Sequence, residues 1–499
     1  MKSEVIILVA GRVAQAALTI AGFRLITTFL SPTDVGSNYL IISLATLFGM
    51  FLHSPVCMYL NRKLFLWYDS KNIFKHLLAY NIYSLIVAVS AVPIVFVAWK
   101  FFGVGAGLPG IVFALIVACY TYVLNWNQIF IPFLNALGYK ASFVLLTFAT
   151  TGLGLFCSVS FVYFSGPSAV AWMSGQVAAI ALITVISAYV FRQKVPEPGI
   201  PHGGVLQYAN KVVFANIAGF AIPLAGAAFF MWAQSQSYRV VVEKINGAEF
   251  LGYLAVGFSI ATSVAGILES LVQQIYLPGF YRRISGGDKA ARHAALAELA
   301  AKAIPVYIIY LFFIIGSAEY LVSFLVAERY RSVFVYARYG AFMEFFRMTA
   351  NILASAAHSE MRTQVLVKPY FFGGITAIVG VYLAALSSHP SALIPSVLAV
   401  SGLITVAVMW RVTNSMFSLA SDPKPFISVL LLSLLFLPLA FFHVHGFLLS
   451  LGVLLVSGSY FIFLQYKVAG KWFDSPKANF NGGLEFAHDE NLIRAKQEL

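Results

Sequence analysis

Residues 30–46 read LSPTDVGSNYLIISLAT, and residues 245–262 read INGAEFLGYLAVGFSIAT. Each opens on a short polar turn and runs directly into a long apolar stretch. Set against each other without gaps at an offset of 216, Gly36, Ser43, Ala45 and Thr46 fall on Gly252, Ser259, Ala261 and Thr262. One inserted residue in the second turn also brings Arg24 onto Arg239. A turn that recurs at the head of a membrane-length apolar run points to a duplicated bundle of transmembrane helices.

The composition surrounding these stretches agrees. Of 499 residues, 60% are hydrophobic and only 10% charged, and the mean hydropathy is +0.85. A soluble domain carries about 25% charged residues, so lipid is the expected solvent. The net charge of +13 is spread through short segments between apolar runs, so it argues for a membrane protein and against a nucleic-acid partner. Cys57, Cys119 and Cys157 each sit inside an apolar run with no metal-ligand spacing, and no metal site is expected.

Apolar runs long enough to span lie near 4–30, 37–60, 76–99, 109–134, 141–164, 169–191, 212–242, 250–276, 302–325, 333–357, 364–386, 391–411, 425–443 and 446–466. Their length and lack of strict alternation make them helices, about fourteen in all. Alternate connections carry the basic residues: Arg62, Lys63, Lys71 and Lys75, then Lys140, Arg192, Lys194 and Lys211, Arg282, Arg283, Lys289, Arg292 and Lys302, Arg362 and Lys368, and Arg411 and Lys424. Both ends are basic too, so the positive-inside rule puts both termini in the cytoplasm. The connection with Pro196, Pro198, Pro201, Gly203 and Gly204 reads as a boundary. The expected organisation is an N-lobe of six helices over 1–191, a cytoplasmic linker over 192–211, a C-lobe of six over 212–411, two further helices over 412–466, and a cytoplasmic tail over 467–499. Two pseudo-symmetric lobes with six helices each share one orientation and hold substrate between them. The 279–302 segment reads as a basic helix on the inner leaflet or as an ordinary basic loop.

An ionisable group at the bilayer centre costs about 2.5–3.5 kcal/mol, so each such residue is a candidate for function. Arg12 lies roughly 12 Å along the first span at 1.5 Å per residue, with Gln15 and Thr19 on one stripe. It either grips a phosphate as a bidentate fork or snorkels to the headgroups. Arg24 and Arg239 lie near the outward ends of spans 1 and 7 and divide between the same two readings, with Gln234 and Gln236 beside Arg239. His53 and Glu269 occupy equivalent positions at the 216 offset. They are candidates to carry a coupling proton, or else to form a structural pair with each other or with Arg12. Glu344 and Arg347 are spaced to neutralise each other on one helix face. Asn125, Asn127 and Gln128 in span 4 either meet sugar hydroxyls or bond between helices.

An arginine-bearing first span followed by Leu30-Ser31-Pro32-Thr33-Asp34-Val35-Gly36-Ser37-Asn38-Tyr39 resembles the turn of Wzx-type polysaccharide exporters, of the multidrug/oligosaccharidyl-lipid/polysaccharide (MOP) superfamily. Tyr238-Arg239 through Gly252-Tyr253 resembles the second copy of that turn, and Phe280-Tyr281-Arg282-Arg283 resembles the segment after the eighth span. The chain departs from the pattern at Tyr238, where an acid is usual, and at Ser31, where glycine is common. The resemblance implies an all-α polytopic protein shaped as an inverted V. It also implies a flippase that carries a polyprenyl-(pyro)phosphate-linked oligosaccharide from the inner to the outer leaflet of the cytoplasmic membrane, in cell-surface polysaccharide assembly such as O-antigen or exopolysaccharide. Implied partners are that lipid, membrane lipids and other polysaccharide-assembly membrane proteins. No cofactor is implied beyond coupling to H+ or Na+. On this reading Arg12, Gln15, Arg24, Arg239, Gln234 and Asn125 line a basic cavity, and His53 and Glu269 couple ions.

Two other readings stand beside it. A MATE-type exporter of drugs or organic cations would want an acidic cavity. A membrane glycosyltransferase or polymerase would want outward loops bearing catalytic groups, and the outward loops here, such as 165–169 and 386–391, are short. There is no G-x-x-x-x-G-K-[ST] phosphate loop for ATP, so a secondary transporter rather than an enzyme is expected.

Overall fold

The computed structural model describes residues 2–195, 211–284, 289–360, 362–416, 424–442 and 447–470. Every regular element among them is a helix, and a helical leg stands at each expected span. Eleven stretches are long and apolar enough to cross a membrane by themselves, with Ala17–Phe29 and Phe426–Ala440 as shorter apolar helices. The chain is a multi-pass membrane protein.

Helix α1 (Lys2–Phe29) leads into the Ser31 turn. Ser31 is extended, its hydroxyl accepts the Asp34 N–H at 3.1 Å, and Pro32 fills the first turn, so the second leg starts on a cap and a residue with no N–H to lose. That leg comprises α2 (Pro32–Phe48), a π-helical turn at Gly49–His53 and α3 (Ser54–Asp69). The widened turn sits just before Pro55, which has no N–H for the preceding turn and crowds its carbonyl. The next four legs are α4 (Ile73–Phe102), α5 (Gly110–Ala136), α6 (Lys140–Ser165) and α7 (Ala169–Lys194). Asp34 accepts the Ala169 N–H at 3.2 Å, tying the heads of α2 and α7 together.

The seventh leg is broken into α8 (Lys211–Ser235) and α9 (Ser237–Asn246), with Gln236 between them. Then come α10 (Ala248–Ile284), α11 (Lys289–Leu325), α12 (Phe334–Ser359), α13 (Val367–Ala385) and α14 (Pro390–Met416). Helices α10 and α11 have 37 residues each, about 55 Å at 1.5 Å per residue, so they outreach a hydrocarbon core of about 30 Å. Residues 289–302, expected as a surface helix or a loop, are instead the first turns of α11, because their alanine-rich run continues the helix without a break. Last come α15 (Lys424–Ser433), extended by a 3-10 stretch to Ala440, and α16 (Phe447–Gly470). Both pack on α11. The proline- and glycine-rich connection over 196–210 and the tail over 471–499 lie outside the described residues.

Helices α1 to α7 pack among themselves, as do α8 to α14. The main bridge between the sets is α2 against α10, and it is made by the repeat itself. A Cβ added to Gly36 would stand 1.8 Å from the Ala248 carbonyl oxygen, and one on Gly252 would stand 2.0 Å from that of Pro32. Those two contacts are images of each other at the 216 offset. Only hydrogen side chains let the backbones approach this closely.

Candidate functional site: a central cavity

Several hydrogen bonds close the end of the molecule that bears the Ser31 turn. The connection between α11 and α12 reaches over α1: Ala327 N–H donates to Thr27 Oγ1 at 3.0 Å, Arg329 donates to the Thr28 carbonyl at 3.0 Å, and the Tyr330 hydroxyl donates to the Leu30 carbonyl at 3.2 Å. Across the molecule, both oxygens of Glu243 on α9 accept the Gly105 N–H at 3.1 Å. Gly105 lies at φ +71 in the connection from α4 to α5.

Below this closure lies a cavity of about 520 Å³. Phe23, Tyr39 and Met50 contribute from α1 and the second leg, and the rest comes from α8, α9, α10, α12, α13 and α14. Met50, Met231, Asn351 and Tyr370 also line a second compartment of about 320 Å³. It continues away from the closed end, past Ser54, Gln273 and His358.

Arg239 dominates the upper cavity. It is 9% exposed and stands in the first turn of α9, where a side chain leans back toward the helix start. Its guanidinium carbon lies 5.0 Å from the Tyr39 ring centroid and 5.6 Å from that of Tyr238, and Nε donates to the Tyr238 hydroxyl at 3.2 Å. Arg239 makes no ion pair among the described residues, so the outer edge of its fork is left to the cavity. The break at Gln236 starts a new helix at the same place, and a helix start carries partial positive charge. Gln234 lines the cavity as well and donates to Thr405 Oγ1 at 2.8 Å.

A second charged group occupies the wall. Arg347 donates through Nε to Glu344 at 2.7 Å and lies 2.8 Å from Glu269 on α10. Asn351 donates to the other oxygen of Glu269 at 2.7 Å, and Thr262 donates to the other oxygen of Glu344 at 2.8 Å. The spaced pair Glu344–Arg347 forms, and it takes in Glu269, which sequence reasoning had set beside His53 or Arg12.

The remaining candidates are placed elsewhere. Arg24 is exposed and donates to the Val326 carbonyl, as part of the closure. Its counterpart in the repeat, Arg239, is buried, so the two positions have diverged. Asn125 is buried between α4 and α5, where it accepts from Tyr80 at 2.9 Å and donates to Ser84 at 3.1 Å. His53 is buried on the π-helical turn with Nδ1 3.3 Å from that same Tyr80 hydroxyl. Tyr80 therefore joins His53 to Asn125 inside the first helix set, away from Glu269. Gln15 is half-buried, with its carbonyl accepting from Thr19 at 2.9 Å, and lines neither compartment. The Arg12 side chain lies outside the described residues.

Sequence reasoning missed Tyr39 and Tyr238 as the walls around Arg239, and Asn351 and Thr262 as partners of the carboxylates. The polar run Gln234-Ser235-Gln236-Ser237 was the available signal for the helix break.

The fold matches the lipid II flippase MurJ in its inward closed conformation, with TM-score 0.67 and 13% identity over 95% of this chain and 100% of that one. An inward-facing multidrug resistance MATE family transporter of the MOP superfamily matches with TM-score 0.55 and 12% identity, over 82% of this chain and 96% of that one. A MATE in the straight conformation gives 0.51 and 13%, over 83% and 96%. No protein-family model and no curated protein sequence matches the chain. The chain has the fold of MOP-superfamily transporters.

Proposed function

We propose that this chain is a flippase for a polyprenyl-(pyro)phosphate-linked oligosaccharide, moving its head from the cytoplasmic to the outer leaflet for surface polysaccharide assembly. Arg239 carries the reading. A buried guanidinium without an ion-pair partner, facing a cavity beside a helix start, is built for an anion, and its fork suits a phosphate. Gln234, Ser235, Ser259 and Ser263 offer hydrogen bonds for sugar hydroxyls, and Tyr39, Phe258 and Tyr370 offer apolar faces. A charged sugar head cannot shed its water into hydrocarbon, so the cavity stands in for that water while the tail stays in lipid. The basic connections put both termini in the cytoplasm, so the Ser31 turn faces outward and the second compartment leads to the inner side. MurJ, with the most extensive coverage among these structural matches, is itself a lipid flippase.

An exporter of organic cations needs a carboxylate free to meet its cargo. Here every carboxylate oxygen of Glu269 and Glu344 already accepts from a protein donor. The test is translocation of a fluorescent polyprenyl-diphosphate saccharide in proteoliposomes. Wild type moves it and Arg239→Gln does not. Equal rates in protein-free liposomes, or efflux of an organic cation with no lipid movement, would overturn the proposal.

A further inference from the structure

We infer that a pocket between the inner ends of α10 and α11 binds the phosphate of an anionic phospholipid in the cytoplasmic leaflet. The pocket measures about 110 Å³ and lies at the end of α10 remote from the Ser31 turn. Arg283 of α10 and Lys302 of α11 both line it, and both pair with one carboxylate, Glu298 of α11. The lining thus carries two cations and one carboxylate. An arginine has five N–H donors and a lysine three, more than Glu298 alone can engage. A guanidinium fork beside an ammonium suits a phosphate.

The depth of the pocket favours a lipid. Helix α11 reaches the closed end at Leu325, and Lys302 stands roughly 35 Å back along it at 1.5 Å per residue. That is just past a hydrocarbon core of about 30 Å, at the level of the headgroups. The basic connections make this the cytoplasmic side, where basic pockets between transmembrane helices bind anionic headgroups. Ile275 and Leu299 line the pocket too, and Ile275 is 55% exposed on α10. An apolar edge for a glycerol and its acyl chains therefore adjoins the cations. The space is roughly that of four liquid waters, enough for a phosphate and too little for an oligosaccharide, so the proposed cargo is not its ligand.

The pocket differs from a diffuse basic surface in having a shape. Gly279 of α10 lines it, and a Cβ added there would meet nothing within 4 Å, so the glycine keeps the space clear. Arg292 pairs with Glu360 at 2.8 Å, which holds the first turns of α11 against the residue that follows α12. Neither member of that pair lines the pocket. An incoming phosphate competes with Glu298 for the two cations, so Glu298 limits its affinity. Once bound, the phosphate joins α10 to α11 through Arg283 and Lys302.

The test is native mass spectrometry of the full chain with phosphatidylglycerol or phosphatidylcholine added in the same detergent. Wild type retains one phosphatidylglycerol about tenfold more tightly than phosphatidylcholine, as two cations near a headgroup allow. Arg283→Gln and Lys302→Gln each weaken that binding about tenfold, the loss expected for a charged hydrogen bond. Gly279→Leu fills the space without changing any charge and weakens binding as much, whereas Glu298→Gln releases both cations and strengthens it. Lys71→Gln combined with Lys75→Gln, at the connection from α3 to α4, leaves it unchanged, and millimolar inorganic phosphate does not displace the lipid. If Lys302→Gln does not fold, Arg283→Gln and Gly279→Leu decide. Equal retention of the two lipids, wild-type retention in Gly279→Leu, an equal loss in the Lys71 and Lys75 variant, or displacement by inorganic phosphate would each overturn the site. No polyprenyl lipid enters the measurement, so its outcome is independent of the flippase reading.

Discussion

Arg239 shows how far single residues could be read from the chain. An arginine inside an apolar span marks itself, but its setting between Tyr39 and Tyr238 joins two spans distant in sequence, and no spacing rule reports that. Glu344 and Arg347 were legible as a pair because one helix turn sets their distance, whereas Glu269 joins them only through the packing of α10 on α12. Asn125 looked like a cavity residue and His53 like an ion-coupling one because structural and functional buried polarity look alike in sequence. Tyr80 shows that theirs is the former. Lysine carries the charge of arginine without its planar fork. Arg239→Lys is therefore expected to retain a measurable fraction of transport and Arg239→Gln to lose more than about tenfold, as for removal of a charged hydrogen bond of about 1.5–3 kcal/mol; initial rates in proteoliposomes report both. Ser31→Ala removes a helix cap and costs about 1 kcal/mol, read as a lowered Tm of the purified protein with cargo binding unchanged.

At the scale of elements, the spans themselves were the most legible feature, since apolar runs of membrane length permit little else. Their interruptions were less so. Pro55 gave no warning of a π-helical turn, because proline within a span is common and its local remedy depends on neighbours. The break at Gln236 follows from a run of four small or amide residues that lets α9 start afresh beside Arg239. The turns headed by Gly36 and Gly252 were legible as a repeat, and the structure adds that the two copies touch. Gly36→Ala or Gly252→Ala puts a methyl group on a backbone carbonyl, an overpacking that costs about 1–3 kcal/mol. Each should lower the closed-end population by roughly five- to a hundredfold, seen as faster modification of a cysteine at Tyr39 by a membrane-impermeant thiol reagent. An unchanged rate would mean that the glycine contact does not hold this end shut.

For the whole molecule, the duplicated turn, the long apolar legs and the closure at one end combine into a cavity between two helix sets, with a second compartment continuing away from the closed end. The fold followed from hydropathy because the bilayer limits the choices; the cargo did not, because cavity shape and charge arise only after packing. That packing leaves the Arg239 side chain facing the upper cavity with no ion pair among the described residues, and the account turns on it meeting a lipid-linked phosphate. The most direct measurement is mass spectrometry of membrane lipids from cells depleted of this protein, compared with cells carrying wild type or Arg239→Gln. The account predicts that one polyprenyl-linked saccharide accumulates in both the depleted and the Arg239→Gln cells and not in wild type. No accumulation of any such lipid on depletion would contradict it.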